Sequence, residues 1–191
     1  MRLILASSSI YRRDLLERLR LPFSIQSPDI DESALANESP EQLALRLAEK
    51  KAKVIALQHP EAIVIGSDQV AALGNLSIGK PGSHEKAVLQ LQQLSGKKVV
   101  FHTALCVAQN TQFETVNVTT TCLFRDLSTE EIENYLSMER PYDTAGSAKA
   151  ESLGITLMQS MQSSDPTAII GLPLIELSRL LRKFGVNPLT N

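Results

Sequence analysis

AIVIGSDQVAALGNLSIGKP, residues Ala62–Pro81, opens as an apolar run, Ala62-Ile63-Val64-Ile65, the pattern of a strand buried on both faces. Gly66 and Ser67 follow, and then an acid, Asp68. A carboxylate at the end of a buried strand is costly unless something there needs the charge. The chain continues through Gln69-Val70-Ala71-Ala72-Leu73, turns at Gly74-Asn75, and returns through Ile78 to Gly79-Lys80-Pro81. This is a hairpin signal, and it brings Lys80 back toward Asp68. An acid and a lysine facing one cleft suit phosphate chemistry: the acid holds a metal or activates water, and the lysine neutralises phosphate charge. A surface salt bridge beside a hairpin is the alternative that this stretch alone leaves open.

The composition bounds the setting. A chain of 191 residues makes one domain, or two small lobes sharing a core, and 43% apolar residues suffice for that core. A net charge of −2 excludes a broad basic surface for a nucleic acid polymer, so a polyanionic ligand must be met by a few placed cations. The two cysteines, Cys106 and Cys122, lack the paired spacing of a zinc site and read as buried free thiols of a reducing cytoplasm. The apolar run in MRLILASSS is too short for a signal-peptide core, and no stretch suits a membrane span. A soluble cytoplasmic protein is expected, with no membrane partner.

Arg2–Ala6 reads as a short buried strand, Ser7-Ser8-Ser9 as a small polar loop, and Tyr11–Leu21 as a helix with Leu15, Leu16 and Leu19 at helical spacing. Strand, polar loop and helix N-terminus is a layout that grips an anion through free backbone N–H groups. Arg12 and Arg13 in the first turn oppose the helix dipole and so ask for an anionic partner. A serine-rich N-cap with solvated arginines is the plainer reading. A strand over Phe23–Ser27 leads to an acidic loop with Asp29, Asp31 and Glu32. Three such acids repel unless solvated or sharing a cation, and a metal role needs a distant carboxylate, for which Asp68 is the candidate.

Ser39 caps a long helix to about Gln58, with Pro40 at its first position and Gln42 at its third. Lys50, Lys51 and Lys53 read mostly as its wet face, with one available to turn into the cleft. Ser83–Leu94 is a further helix ended by Gly96. Lys98–Ala108 and Phe113–Phe124 form two long strands joined by a hairpin, and a helix runs from the Ser128 cap to about Met138. A loop over 140–147 leads to a strand-like Ile155–Met161, a short turn opened by Ser164-Asp165-Pro166, and a closing helix over Leu174–Phe184.

Together these segments resemble the Maf family of nucleotide pyrophosphatases over nearly the whole chain. LASSSIYRRDLL resembles the family's opening motif, DIDES its acidic loop, and Leu47-Ala48-Glu49-Lys50-Lys51-Ala52 its LAxxKA segment. GSDQV, GKP, YDTAGSAKAESLG and the closing IIGLPL follow in order. The resemblance implies a mixed α/β fold of the Maf/Ham1 type, with a long twisted mixed sheet, flanking helices and a deep cleft between two lobes of one domain, 1–191. It also implies a cytoplasmic enzyme, often a homodimer. The reaction would be hydrolysis of a nucleoside triphosphate between the α and β phosphates, with a divalent cation, Mg²⁺ or Mn²⁺. In that reading Ser7, Ser9, Arg12 and Arg13 hold the triphosphate, Glu32 and Asp68 hold the cation, and Asp68 is also the proton acceptor. Lys51 and Lys80 steady charge on the phosphates, the motif spacing favouring Lys51 over Lys50.

Three positions separate the family's branches: here Tyr11, Gln69 and Glu151. An aromatic and an acid at the first and third resemble the branch that hydrolyses 7-methyl-GTP, whereas the dTTP/UTP branch has basic residues there. A 7-methylated guanine is cationic and gains roughly 0.5–2 kcal/mol over an aromatic face. Glu151 suits its N1–H and N2–H donors. That branch usually carries Pro-Trp where this chain has Ile10-Tyr11, and Tyr stacks less strongly than Trp. The alternatives are a dTTP/UTP pyrophosphatase and a non-catalytic nucleotide-binding regulator of septum formation.

Overall fold

The computed structural model describes residues 2–190. Among these residues, seven strands form one mixed sheet. β1 (Leu3–Leu5) lies between β2 (Ser24–Ile25) and β3 (Ile63–Leu73), parallel to both. The sheet continues antiparallel through β5 (Lys98–Gln109), β6 (Gln112–Phe124) and the edge strand β7 (Met158–Ser163), while β4 (Leu76–Ile78) folds back on the end of β3. Five helices flank it: α1 (Ile10–Glu17), α2 (Pro40–Gln58), α3 (His84–Leu94), α4 (Thr129–Glu139) and α5 (Leu174–Lys183).

Side-chain alternation along the strands builds the core. On one face Ile4, Val64, Ala104 and Cys106 pack against α2 through Ala44, Leu47, Ala48, Ala52 and Ile55. On the other, Leu3, Leu5, Ile63, Ile65, Leu105 and Val107 pack against Leu15 and Leu16 of α1 and Leu177, Leu180 and Leu181 of α5. Further along the long strands a third cluster, centred on Phe101, Cys122 and Phe124, is covered by α3 and α4. The core passes from the α2 cluster to the α3–α4 cluster between Val70 and Ala71, two residues beyond Asp68.

The caps explain where the helices begin. Ser39 and Gln42 form a reciprocal capping box on α2, and Ser128 and Glu131 do the same on α4. Several expected boundaries move. The 62–65 run does not end before Asp68: β3 runs on for 11 residues, pairing Asp68 with Ala104. Gly66 permits this, because a Cβ there would stand 2.4 Å from the Ala48 carbonyl and 2.6 Å from the Ala52 nitrogen of α2. α1 stops at Glu17 rather than Leu21, and the chain leaves through Arg20 at φ +55°. The strand expected over Ile155–Met161 begins only at Met158. Residues 153–157 instead wind into a 3-10 turn, with Gly154 against the Lys149 backbone.

Candidate active site

The Ser7-Ser8-Ser9 loop carries β1 into α1. Ser9 adopts extended geometry and caps the helix, its Oγ accepting from the Arg12 amide at 3.4 Å. Buried Ser7 accepts from the Ser9 amide at 3.1 Å and from Arg12 Nη1 at 3.4 Å. No acid occupies the first turn of α1, so its unpaired N–H groups face no intrinsic counter-charge. Arg12 Nε donates to the Gly171 carbonyl at 2.9 Å. Burial lowers the Arg12 pKa from its usual value, against the upward pull of Asp68 and Glu32. Arg13 is not brought to this place. It is exposed and spent on Asp14 at 2.8 Å and Glu17 at 3.7 Å. The reason is helical geometry: neighbouring residues on a helix point in different directions, and the face of Arg12 is the inward one.

Lys51 decides the centre. It lies seven residues after Ala44 and four after Leu47, on the buried stripe of α2, and is itself buried. Its ammonium donates to Asp68 Oδ1 at 2.6 Å and pairs with Glu32 Oε1 at 2.8 Å. One cation therefore joins two carboxylates 36 residues apart in sequence. Lys50 is the outward neighbour, near the Asp31 carbonyl. Within the acidic loop only Glu32 reaches this centre; Asp31 is held by Ser33.

The β3–β4 hairpin returns as expected, with Ala71 opposite Ile78, and delivers Gly79 and Lys80 to the same cleft. The Gly79 carbonyl accepts from Gln90 Nε2 of α3 at 3.0 Å and the Gly82 amide donates to the Tyr142 carbonyl at 3.0 Å, which stitches the Lys80 segment to α3 and to the 140–147 loop. The cleft has a volume of about 590 Å³, and Ser7, Arg12, Glu32, Lys51, Asp68 and Lys80 line it. Tyr11, Gln69 and Glu151 also line it.

Alternation places Ser67 and Gln69 on the opposite side of β3 from Asp68. Ser67 Oγ donates to the carbonyls of Ala104 at 2.8 Å and Gly171 at 3.0 Å. Gln69 Nε2 lies 3.0 Å from Thr103 Oγ1 and from the carbonyls of Ala168 and Ile169. Its N–H groups are thereby consumed. Glu151 is exposed at the cleft mouth, yet surrounding protein desolvates its carboxyl and raises its pKa; Lys149 pulls the other way. Sequence reasoning did not assign the carbonyls of 168–171, Thr103 or Lys149. Carbonyls carry no side-chain signal, though IIGLPL marked the segment.

Among the described residues, no three His, Cys, Asp or Glu side chains gather into a ready-made metal cluster. The donor set still fits a cation that arrives with phosphate. Mg²⁺ commonly takes one or two carboxylates and completes its shell with phosphate oxygens and water, and Glu32 and Asp68 already converge on one positive charge.

A 7-methyl-GTP pyrophosphatase of Bordetella avium is 60% identical, covering 98% of this chain and 95% of that protein. Its counterpart in Bordetella pertussis is 58% identical over 99% and 95%. That of Cupriavidus pinatubonensis is 54% identical over 96% and 94%. A solved HAM1 protein from Coxiella burnetii shares the fold at TM-score 0.53, with 14% identity over 96% of this chain and 99% of that one. The Maf-like protein model matches residues 2–184, so the chain belongs to the Maf family.

Proposed function

We propose that this protein hydrolyses 7-methyl-GTP between its α and β phosphates, releasing 7-methyl-GMP and pyrophosphate. The observation that carries the reading is the meeting of Glu32 and Asp68 on Lys51, in a cleft that also holds Arg12 and Lys80. Relatives at 54–60% identity named for this activity support it.

In this mechanism Ser7, the N–H groups of the first turn of α1, and Arg12 hold the phosphate tail. Ser9 acts through the cap, which fixes those N–H groups. Asp68 orients a water toward the α phosphorus and takes its proton as the new P–O bond forms. The bond from the α phosphorus to the bridging oxygen breaks, and pyrophosphate leaves with the electron pair. Lys51 and Lys80 neutralise charge that grows on the phosphates in this step. Glu32 and Asp68 would hold Mg²⁺ or Mn²⁺, which when bound supplies further charge neutralisation. At the other end Tyr11 offers a ring face to the cationic base, Glu151 accepts from its N–H edge, and Gln69 offers its carbonyl oxygen. A cytoplasmic setting fits two buried unpaired cysteines, and among the described residues no helix is long and apolar enough to cross a membrane.

The test is pyrophosphate release from a panel of 7-methyl-GTP, GTP, dTTP and UTP. 7-Methyl-GTP should give the highest kcat/KM. Equal values for UTP would reject the roles given to Tyr11 and Glu151.

A further inference from the structure

Next to the segment that carries Glu151 lies an ion pair. Glu139, the last residue of α4, pairs through Oε1 with Lys149 Nζ at 3.1 Å, and both side chains are largely buried, at 11% and 20% exposure. The second carboxylate oxygen of Glu139 accepts from Ser152 Oγ at 2.8 Å and from the Leu153 amide at 3.1 Å. Lys149 is fastened through its backbone as well: its amide donates to the Tyr135 hydroxyl at 3.1 Å. Gly154 closes the segment, since a Cβ there would stand 2.5 Å from the Lys149 carbonyl oxygen. Residues 149–154 are thus a turn pinned at both ends to Tyr135 and Glu139, one helical turn apart on α4. Glu151 sits in its middle and faces the cleft.

The Lys149 ammonium also lies 5.4 Å from the centroid of the Tyr11 ring. Tyr11 itself lines the cleft, as does Glu151, so the ammonium sits beside both base-facing residues. Burial works against its charge, but Glu139 and Tyr11 outweigh that and push the Lys149 pKa up to about 12. It remains cationic throughout the physiological range.

We propose that the Glu139–Lys149 pair positions the base-recognition groups: it holds the turn that carries Glu151 and fixes the Tyr11 ring beside it, and so sets the preference for the N–H edge of a guanine-type base over a pyrimidine. The proposal rests on the assignment of Tyr11 and Glu151 to the base. Glu139 and Lys149 are positioning residues, acting through groups that touch substrate. Their loss should therefore appear in KM and in selectivity, while the phosphate end keeps its geometry and kcat.

The test compares Glu139→Gln, Lys149→Met, Lys149→Arg and Glu151→Gln by kcat and KM for 7-methyl-GTP and UTP. Glu139→Gln keeps an acceptor for Ser152 and Leu153, so it removes the ion pair without opening the turn. Displacing one charge-assisted contact should lower the 7-methyl-GTP to UTP ratio of kcat/KM about tenfold in Glu139→Gln and Lys149→Met. In both, kcat should stay within about twofold, and Lys149→Arg should restore most of the ratio. A ratio unchanged in Glu139→Gln and Lys149→Met but lowered in Glu151→Gln overturns the positioning role alone. A ratio unchanged in all of them overturns both this role and the base assignment. Thermal unfolding midpoints of the variants separate a selectivity change from loss of fold: a lowered ratio in a variant that melts with the wild type supports the proposal, and one found only in variants that melt early overturns it.

Discussion

Replacing Lys51 by methionine keeps the aliphatic stem on α2 and removes the charge between Glu32 and Asp68. The Lys51 and Asp68 side chains are 7% and 10% exposed and 2.6 Å apart, so the change strands a carboxylate where water hardly reaches. Removing one partner of a buried pair costs about 3–5 kcal/mol. Arg12 feels the Asp68 charge and offsets part of this, which favours the lower end, about 3 kcal/mol. In a chain of this size that is a fall in Tm of roughly 6–12 °C. Thermal and urea unfolding of wild type and variant at pH 8 measure this. The double variant Lys51→Met, Asp68→Leu carries neither charge and should recover most of the stability while remaining inactive. No deficit in Lys51→Met, or a double variant no more stable than the single one, would refute the buried pair.

Gly66→Ala should cost about 3 kcal/mol or more, because the new Cβ meets backbone of α2 that cannot rotate away. It should also impair turnover by shifting Lys51 from Asp68, readable as a joint loss of Tm and kcat. Arg12→Ala should raise KM for the nucleotide about 10–100-fold, the worth of a hydrogen bond to a charged group, whereas Arg13→Ala should leave KM within about twofold. Glu38 is held by Arg46 and by the Leu35 amide, which lower its pKa from 4.5 to about 2. A lowered carboxyl contributes stability that is present above its unfolded pKa and lost as pH falls to the folded one. Glu38→Gln should therefore flatten the urea midpoint of the protein between pH 4.5 and about 2.

Local chemistry made much of this legible. Ser39 and Ser128 announce their helices because a cap and its partner three residues on act without help from the rest of the fold. Gly74-Asn75 announces the β3–β4 hairpin for the same reason. Lys51 was harder. Its place on the stripe with Ala44, Leu47 and Ala48 marks it as inward, yet a lysine on a helix ordinarily solvates, and only the family spacing separated it from Lys50. Two further features depended on distant chain, and a third on the local geometry of α1. Asp68 lies inside β3, not at its end, because α2 packs against Gly66. Arg13 falls outside the cleft because Asp14 and Glu17 lie on its own exposed face. Arg12, Ser67 and Gln69 are all fixed by carbonyls of 168–171, some 99–159 residues away, and a carbonyl looks the same in every residue.

The central claim is that Asp68 activates water at a bound triphosphate, and the measurement closest to it pairs two readouts on Asp68→Asn. Asparagine retains the shape and an acceptor for Lys51 but cannot take the proton. Pyrophosphate release from 7-methyl-GTP with Mg²⁺ or Mn²⁺ should fall by at least about 10²-fold, while the nucleotide still binds within a few-fold of wild type. Undiminished release by this variant would contradict the account. So would a wild-type protein that binds nucleotide and never releases pyrophosphate, the behaviour of a regulator.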